Sequence, residues 1–247
     1  MRIDVYLTKN GLANSRTEAK AMVEAGFIYV SGKQIKKPSF DVDETVDNEI
    51  EVIGYIKKYV SRGGYKLECA INNFNFEITD RMAIDIGASS GGFTDCLLQN
   101  GAKHVIALDS GTAQLADRLR SDERITVMEN YNARYLKRED FPYIPNLAVM
   151  DVSFISATYI IPALYEILAD SSDFICLIKP QFEVGRAKLG KGGVVKDENA
   201  RLEALNKVTT FAESCGFLTV KTVVSDVIGG DGNIEYLAHF KKQIIKG

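Results

Sequence analysis

The stretch Met82-Ala83-Ile84-Asp85-Ile86-Gly87-Ala88-Ser89-Ser90-Gly91-Gly92-Phe93 constrains the fold of this chain more than any other. An apolar run of strand length breaks at glycines and passes at once into a helical stretch over 93–100. That strand, turn and helix open a doubly wound α/β sheet. Six further apolar runs, over 104–108, 125–128, 147–150, 174–178, 217–224 and 234–240, alternate with helical stretches such as 156–169 and 198–215. The alternation predicts a mostly parallel, Rossmann-like sheet. Only a Gly-rich loop over 227–232 separates the last two runs, too short for a helical crossover, so the last strand is expected to be antiparallel.

Ahead of this sheet the pattern differs. A short helix within 2–13, a second helix opened by the capping box Ser15-Arg16-Thr17-Glu18 and ending near Gly26, and short strands over 27–30 and 49–53 predict a small α+β unit over 1–55. Ser31-Gly32 reads as a turn, and Asp41, Asp43, Glu44 and Asp47 as an acidic loop. Residues 56–65, where Lys57, Lys58 and Arg62 adjoin Gly63-Gly64, read as a linker and entry loop, which leaves 66–247 to the larger domain. Arg16, Lys20, Lys33, Lys36 and Lys37 fall on the second helix and the turn after it. Together with Arg62 they are the candidate contacts to RNA phosphates, although the same charges suit an ordinary solvated face.

Composition narrows the alternatives. A net charge of −3 and a pI near 5.6 do not advertise a nucleic-acid partner, so local charge has to carry that reading. Four widely spaced cysteines and two histidines suggest neither a zinc site nor a disulfide framework. No apolar run approaches the roughly 20 residues of a membrane helix. The expectation is a soluble cytoplasmic protein with no metal, no membrane association and no obligate protein partner.

The glycines after Ile86 let the backbone turn sharply and approach a ligand closely. Asp109 closes the run 104–108, where a carboxylate accepts from both hydroxyls of an adenosine ribose. A dehydrogenase would want Gly-x-Gly-x-x-Gly to seat a pyrophosphate on the helix N-terminus. Here Gly87-x-x-x-Gly91 follows Asp85, which repels a pyrophosphate and suits a cationic sulfonium amino acid. S-adenosylmethionine is the expected cofactor, with Asp85, Gly87, Ala88, Ser89, Gly91, Gly92, Phe93, Asp109 and Asn132 as candidate contacts. Asn132 also suits a plain turn before Ala133-Arg134.

Lys66, Asp151, Lys179 and Glu235 fall at strand ends or beside glycine turns, where an open α/β sheet binds its ligands. The last strand runs backwards, so its start brings Glu235 to the same edge. A ribose hydroxyl attacks a sulfonium methyl better when its proton is removed or polarised, which a lysine achieves if desolvation or a second ammonium weakens its charge. The two carboxylates oppose that effect, and which lysine is neutral stays open.

Six motifs join these residues: Tyr59-Val60-Ser61-Arg62-Gly63-Gly64-Tyr65-Lys66-Leu67, Asp85 through Asp95, Asn132-Ala133-Arg134-Tyr135, Asp151-Val152-Ser153-Phe154-Ile155-Ser156, Lys179-Pro180-Gln181-Phe182-Glu183 and Gly232-Asn233-Ile234-Glu235. Through them the chain closely resembles the TlyA-type, or haemolysin A, ribosomal RNA 2′-O-methyltransferases, whose catalytic domain is FtsJ-like. Residues 1–55 resemble the RNA-binding domain named after small-subunit ribosomal protein four. The resemblance implies a class I methyltransferase sheet and a tetrad of Lys66, Asp151, Lys179 and Glu235, with Lys179 activating the hydroxyl. It also implies a cytidine in 16S or 23S ribosomal RNA, or in both, as target. One departure follows Asp109, where Ser110-Gly111-Thr112-Ala113 replaces the family's Val-Gly-Tyr-Gly and removes an aromatic from the adenosine site.

Two rival functions remain beside this one. A non-catalytic RNA-binding or ribosome-assembly factor would not need the intact tetrad, and membrane lysis would need a spanning or strongly basic amphipathic helix. The loop over 185–195, with Arg186, Lys188 and Lys191, reads either as a segment closing on RNA or as a solvated loop.

Overall fold

A computed structural model describes residues 1–13, 15–43, 49–52 and 58–243, which fall into two compact units, Met1–Lys58 and Tyr59–Gly247. In the smaller unit, helices α1 (Ile3–Lys9) and α2 (Arg16–Glu24) precede strands β1 (Ile28–Val30), β2 (Lys33–Ile35) and β3 (Ile50–Val52), paired antiparallel in the order β2-β1-β3. Ile3, Leu7, Ala19, Val23 and Ile28 form its core. The Ser15 side chain accepts the Glu18 N–H at 3.1 Å, as the capping pattern predicts. Strand β2 is an addition to the expected elements. Of its three residues only Ile35 is buried, too little for an apolar pattern. Asn14, Glu44, Asp47, Ile53 and Lys57 lie outside the described residues.

The larger unit begins with α3 (Gly63–Asn73) and then alternates: β4 (Met82–Ile86), α4 (Gly92–Gln99), β5 (His104–Leu108), α5 (Asp117–Arg120), β6 (Ile125–Met128), β7 (Leu147–Met150), α6 (Ile161–Ile167), β8 (Asp173–Ile178), α7 (Pro180–Glu183), α8 (Glu198–Ser214), β9 (Phe217–Val224) and β10 (Tyr236–Lys242). The sheet order is β6-β5-β4-β7-β8-β10-β9. Strands β4 to β8 are parallel, and β10 runs antiparallel to both β8 and β9. Both faces of the central strands are buried, which is why they read as continuous apolar runs. Ile84, Ile86, Met150, Phe174 and Phe240 cluster with Leu164 of α6 and Val208 of α8, while Ala83, Val105, Val149 and Ile175 cluster with Leu67 of α3 and Leu97 of α4. Winding reverses between β4 and β7, the switch point at which such sheets bind ligands.

Two expectations need correction. The linker assigned to 56–65 does not describe its described residues: Tyr59 is buried, and Gly63-Gly64 begins α3 instead of forming a turn. These glycines serve packing. A Cβ on Gly64 would come within 2.4 Å of Tyr59 Cβ, and one on Gly92 within 2.8 Å of Gly64 N, so α3 and α4 touch backbone to backbone. The helix expected over 156–169 is split into a 3₁₀ turn at Ala157–Tyr159 and α6, because Pro162 lacks an N–H and fits only a first helical turn.

Candidate active site

The glycine turn after β4 meets the residues that follow β7. Gly87 holds φ +83°, and a Cβ there would come within 2.4 Å of the Asp151 carbonyl oxygen, so no side chain fits at this crossing. A cavity of about 450 Å³ opens here, lined by Ile86, Gly87, Leu108, Asp109, Gly111, Tyr131, Asn132, Ala133, Ile155 and Ile160 among others. A second, of about 260 Å³, is lined by Ser61, Arg62, Lys66, Ala88, Ser89, Ser90, Gly92, Phe93 and Lys179. Gly87, Ser89, Asp151 and Ser153 line both. The two adjoin, with a slot of mixed polar and apolar lining on one side and a charged chamber on the other.

The charged chamber holds two ion pairs. Lys66 Nζ lies 2.5 Å from Glu235 Oε2 and Lys179 Nζ 2.5 Å from Asp151 Oδ1, the latter without the alignment of a hydrogen bond. Lys179 also donates to Ser153 Oγ at 2.8 Å. The tetrad is therefore two pairs, one behind each ammonium. Glu235 is buried and lines neither cavity, so its contact with the chamber runs only by way of its pair with Lys66, whereas Lys66, Asp151 and Lys179 all reach the chamber.

The candidate cofactor contacts divide. Ala88, Gly92 and Phe93 line the chamber, Asp109 and Asn132 line the slot, and Gly87 and Ser89 line both. Asp109 accepts the N–H groups of Ser89 and Gly111 at 2.8 and 2.7 Å, tying the glycine turn to the strand end beside it. Asn132 also caps a 3₁₀ turn by accepting the Arg134 N–H at 3.1 Å. Asp85 and Gly91 line neither cavity. Asp85 is wholly buried and accepts the backbone N–H and hydroxyl of Thr94 at 2.9 and 2.6 Å through one oxygen, while its other oxygen has no hydrogen-bond partner. Burial pushes its carboxyl up to about 7. Of the candidate RNA contacts, Arg62 lines the chamber, while Arg16, Lys20, Lys33, Lys36 and Lys37 are exposed on the smaller unit. There the buried Asp4 accepts from Arg2 and Arg16 at 3.0 to 3.1 Å, fixing both guanidiniums.

These features fit S-adenosylmethionine. The slot suits a nucleoside with Asp109 at its ribose, the glycine crossing admits a narrow ligand, and the unpaired oxygen of Asp85 behind the turn suits a cationic one. Residues 59–242 match the model of the FtsJ-like methyltransferases, and residues 1–47 match that of the S4 domain. The chain belongs to the FtsJ-like methyltransferase family. It is accordingly a methyltransferase whose methyl donor is S-adenosylmethionine. The family's chains include hemolysin A of Brachyspira hyodysenteriae, 44% identical and covering 97% of this chain and 99% of the relative. A second is the 16S/23S rRNA (cytidine-2′-O)-methyltransferase TlyA of Mycobacterium tuberculosis, 39% identical and covering 98% and 90%. A solved Streptococcus thermophilus protein, 45% identical, superposes with a TM-score of 0.75 over 98% of this chain and 88% of its own. Among the described residues no helix is long and apolar enough to cross a membrane.

Three supporting residues went unnoticed in the sequence. Ser153 holds Lys179. Glu183, buried, accepts from Ser156 Oγ at 2.5 Å and the Ala157 N–H at 2.7 Å, fastening the loop after β7 to the helix after Lys179. Asn233, also buried, accepts the Val195 N–H at 2.9 Å and donates to Gly193 O, pinning the 185–195 loop two residues from Glu235. All three stand inside or beside the quoted motifs, but their roles depend on which loops meet.

Proposed function

We propose that the chain methylates the ribose 2′-hydroxyl of a cytidine in ribosomal RNA, in the cytoplasm. The observation that carries this reading is the convergence of Lys66, Asp151 and Lys179 on a chamber that joins the nucleoside slot at Gly87. S-adenosylmethionine, when bound, supplies a methyl made electrophilic by its sulfonium. Asp109, Asn132 and the slot around them hold its nucleoside, and Gly87, Ala88 and Ser89 thread the remainder toward the chamber. Lys66, braced by Glu235, donates to the acceptor oxygen. Lys179, positioned by Asp151 and Ser153 and acting as the free amine, takes up the hydroxyl proton as the oxygen–methyl bond forms and the methyl–sulfur bond breaks. Holding the oxygen in line with the methyl supplies the rest of the acceleration.

The smaller unit, taken as residues 1–55, supplies RNA affinity through Arg16, Lys20, Lys33, Lys36 and Lys37, with Arg62 reaching the backbone beside the target from the larger domain. The name carried by the M. tuberculosis relative supports both the base and the small- or large-subunit RNA as substrate. Phe154, 92% exposed beside Ser153 with φ +66°, offers a face to the unstacked base. The test is transfer of radiolabelled methyl from S-adenosylmethionine to small and large ribosomal subunits lacking the modification. Label on a cytidine ribose is expected from the wild type and not from Lys179→Ala. Cofactor binding without transfer to either subunit would refute the substrate.

A further inference from the structure

The motif Asn132-Ala133-Arg134-Tyr135 ends in two residues that the site does not use. Arg134 lays its guanidinium over the ring of Tyr159, 4.9 Å from the centroid. Tyr159 is 62% exposed and Tyr135 67% exposed, so neither ring is committed to the core. Both supports are fixed. Beneath Arg134, Asn132 caps the turn and the Tyr131 hydroxyl donates to Tyr135 O at 3.1 Å. Beneath Tyr159, Ser156 and Ala157 are held by Glu183. Ala133 and Ile160, the chain neighbours of Arg134 and Tyr159, line the slot together with Asp151 and Ser153. The pair therefore stands beside the slot, which meets the chamber holding Lys179 at Asp151 and Ser153.

An exposed aromatic ring carrying a flat cation is a surface matched to a nucleobase and its phosphate. The guanidinium stacks on one side and keeps its forked N–H groups for an anion, and every base has a face to stack. A continuous duplex keeps its bases stacked on each other and cannot use such a surface. We propose that Arg134 and Tyr159, with Tyr135 beside them, are the stacking platform for an unpaired nucleotide next to the one methylated. The enzyme on this view meets its target with the neighbouring nucleotide out of the stack, whether from a loop or drawn out of a helix. The inference rests on the RNA-methyltransferase reading and adds the state in which the substrate is recognised.

The test compares full-length wild type with Tyr159→Ala, Tyr159→Phe, Arg134→Ala and Arg134→Lys. The readouts are kcat/KM on unmodified ribosomal subunits, binding to protein-free ribosomal RNA, S-adenosylhomocysteine affinity by calorimetry, and Tm. Tyr159→Ala and Arg134→Ala should each lower kcat/KM and RNA affinity roughly tenfold, chiefly through KM, with cofactor affinity and Tm unchanged. Tyr159→Phe should retain wild-type values, since stacking needs the ring and not the hydroxyl. Arg134→Lys should fall between, keeping the charge and losing the plane. Wild-type kcat/KM in Tyr159→Ala would overturn the proposal, as would a parallel loss of cofactor affinity, which would make the pair a brace for the slot. A loss seen on subunits but absent on protein-free RNA would assign the surface to a ribosomal protein and overturn it too. Failure of the wild type itself to bind or methylate RNA would refute the underlying reading, a result distinct from variants that match an active wild type.

Discussion

Strands β8 and β10 carry a buried charge network at each end. At the carboxyl end of β8, Lys179 pairs with Asp151, and just before β10 Glu235 pairs with Lys66. At the other end Asp173 opens β8, accepts from Arg81, and lies 2.9 Å from Nε2 of His239 in β10. The two networks are comparably buried, with Glu235 and His239 each 2% exposed. They differ in what lies beside them. The first faces a chamber next to a glycine turn, whereas His239 packs against Phe74 and Phe76, each with its centroid 5.6 Å away. Paired buried charges alone therefore do not make a site. Position at the carboxyl ends of parallel strands, where the winding reverses and the loops part, makes the first network chemical and leaves the second a staple.

The largest separation between the two ends should appear in Lys179→Ala. Loss of the group that handles the proton should lower kcat about 10²- to 10⁴-fold, with a smaller loss of Tm than a Lys66 variant, because the Asp151 side chain is 19% exposed although its oxygen toward Lys179 is buried. Radiolabel transfer and calorimetry measure both. A variant that keeps its rate would remove Lys179 from the chemistry and erase the contrast. Lys66→Met should lose both activity and stability, since it strands the buried Glu235 without its counter-ion at a cost of about 3–5 kcal/mol. Adding Glu235→Gln should return much of the stability and none of the rate. Recovery of both together would mean that the Lys66 pair is structural like the pair below.

At the closed end, His239→Ala should destabilise by about 3 kcal/mol and leave kcat of the folded protein unchanged. Burial by itself would raise the Asp173 carboxyl, but the His239 hydrogen bond and the Arg81 charge outweigh it and hold the group below its ordinary value. A depressed carboxyl contributes stability that is present above its unfolded pKa and lost as pH falls through its folded one. Asp173→Asn should accordingly flatten the acid limb of the Tm profile below about pH 4. An unchanged acid limb would show that the staple does not supply it.

How far these ends were legible in the sequence follows from what each one depends on. The central strands of the larger sheet were found within two residues of their bounds because both faces are buried and the apolar runs are unbroken. Asp151, Lys179 and Glu235 were singled out because strand ends are local signals, and Lys66 because it stands beside Gly63-Gly64, which begins α3. Helix α3 was hidden because Gly63-Gly64 looks like a breaker, when the missing side chains are what lets α3 meet Gly92 of α4. Arg81, Asp173 and His239 were invisible as a group because they come from before β4, from β8 and from β10, which only the assembled sheet brings together. Asp85 was expected at the ligand; one of its oxygens accepts from Thr94 and the other has no hydrogen-bond partner, an arrangement set by the start of α4.

The smallest effect should come from Lys207, and its size decides how the upper network is held. Lys207 reaches Glu183 Oε2 at 3.1 Å and donates to its main-chain oxygen at 2.9 Å; its own side chain is 47% exposed, so solvent screens the charge although Glu183 is buried. Lys207→Ala should cost about 1 kcal/mol and change kcat less than about twofold. Glu183→Ala removes in addition the acceptor of a buried backbone N–H and the Ser156 hydroxyl, a loss of about 1–3 kcal/mol. Because Glu183 ties the loop carrying Asp151 and Ser153 to the helix after Lys179, that loss should reach kcat before KM. Equal effects of the two substitutions would place the bracing in the Lys207 charge. The predicted inequality places it in the hydrogen bonds that set the spacing of the Lys179–Asp151 pair, the one respect in which the open end must be held more exactingly than the closed one.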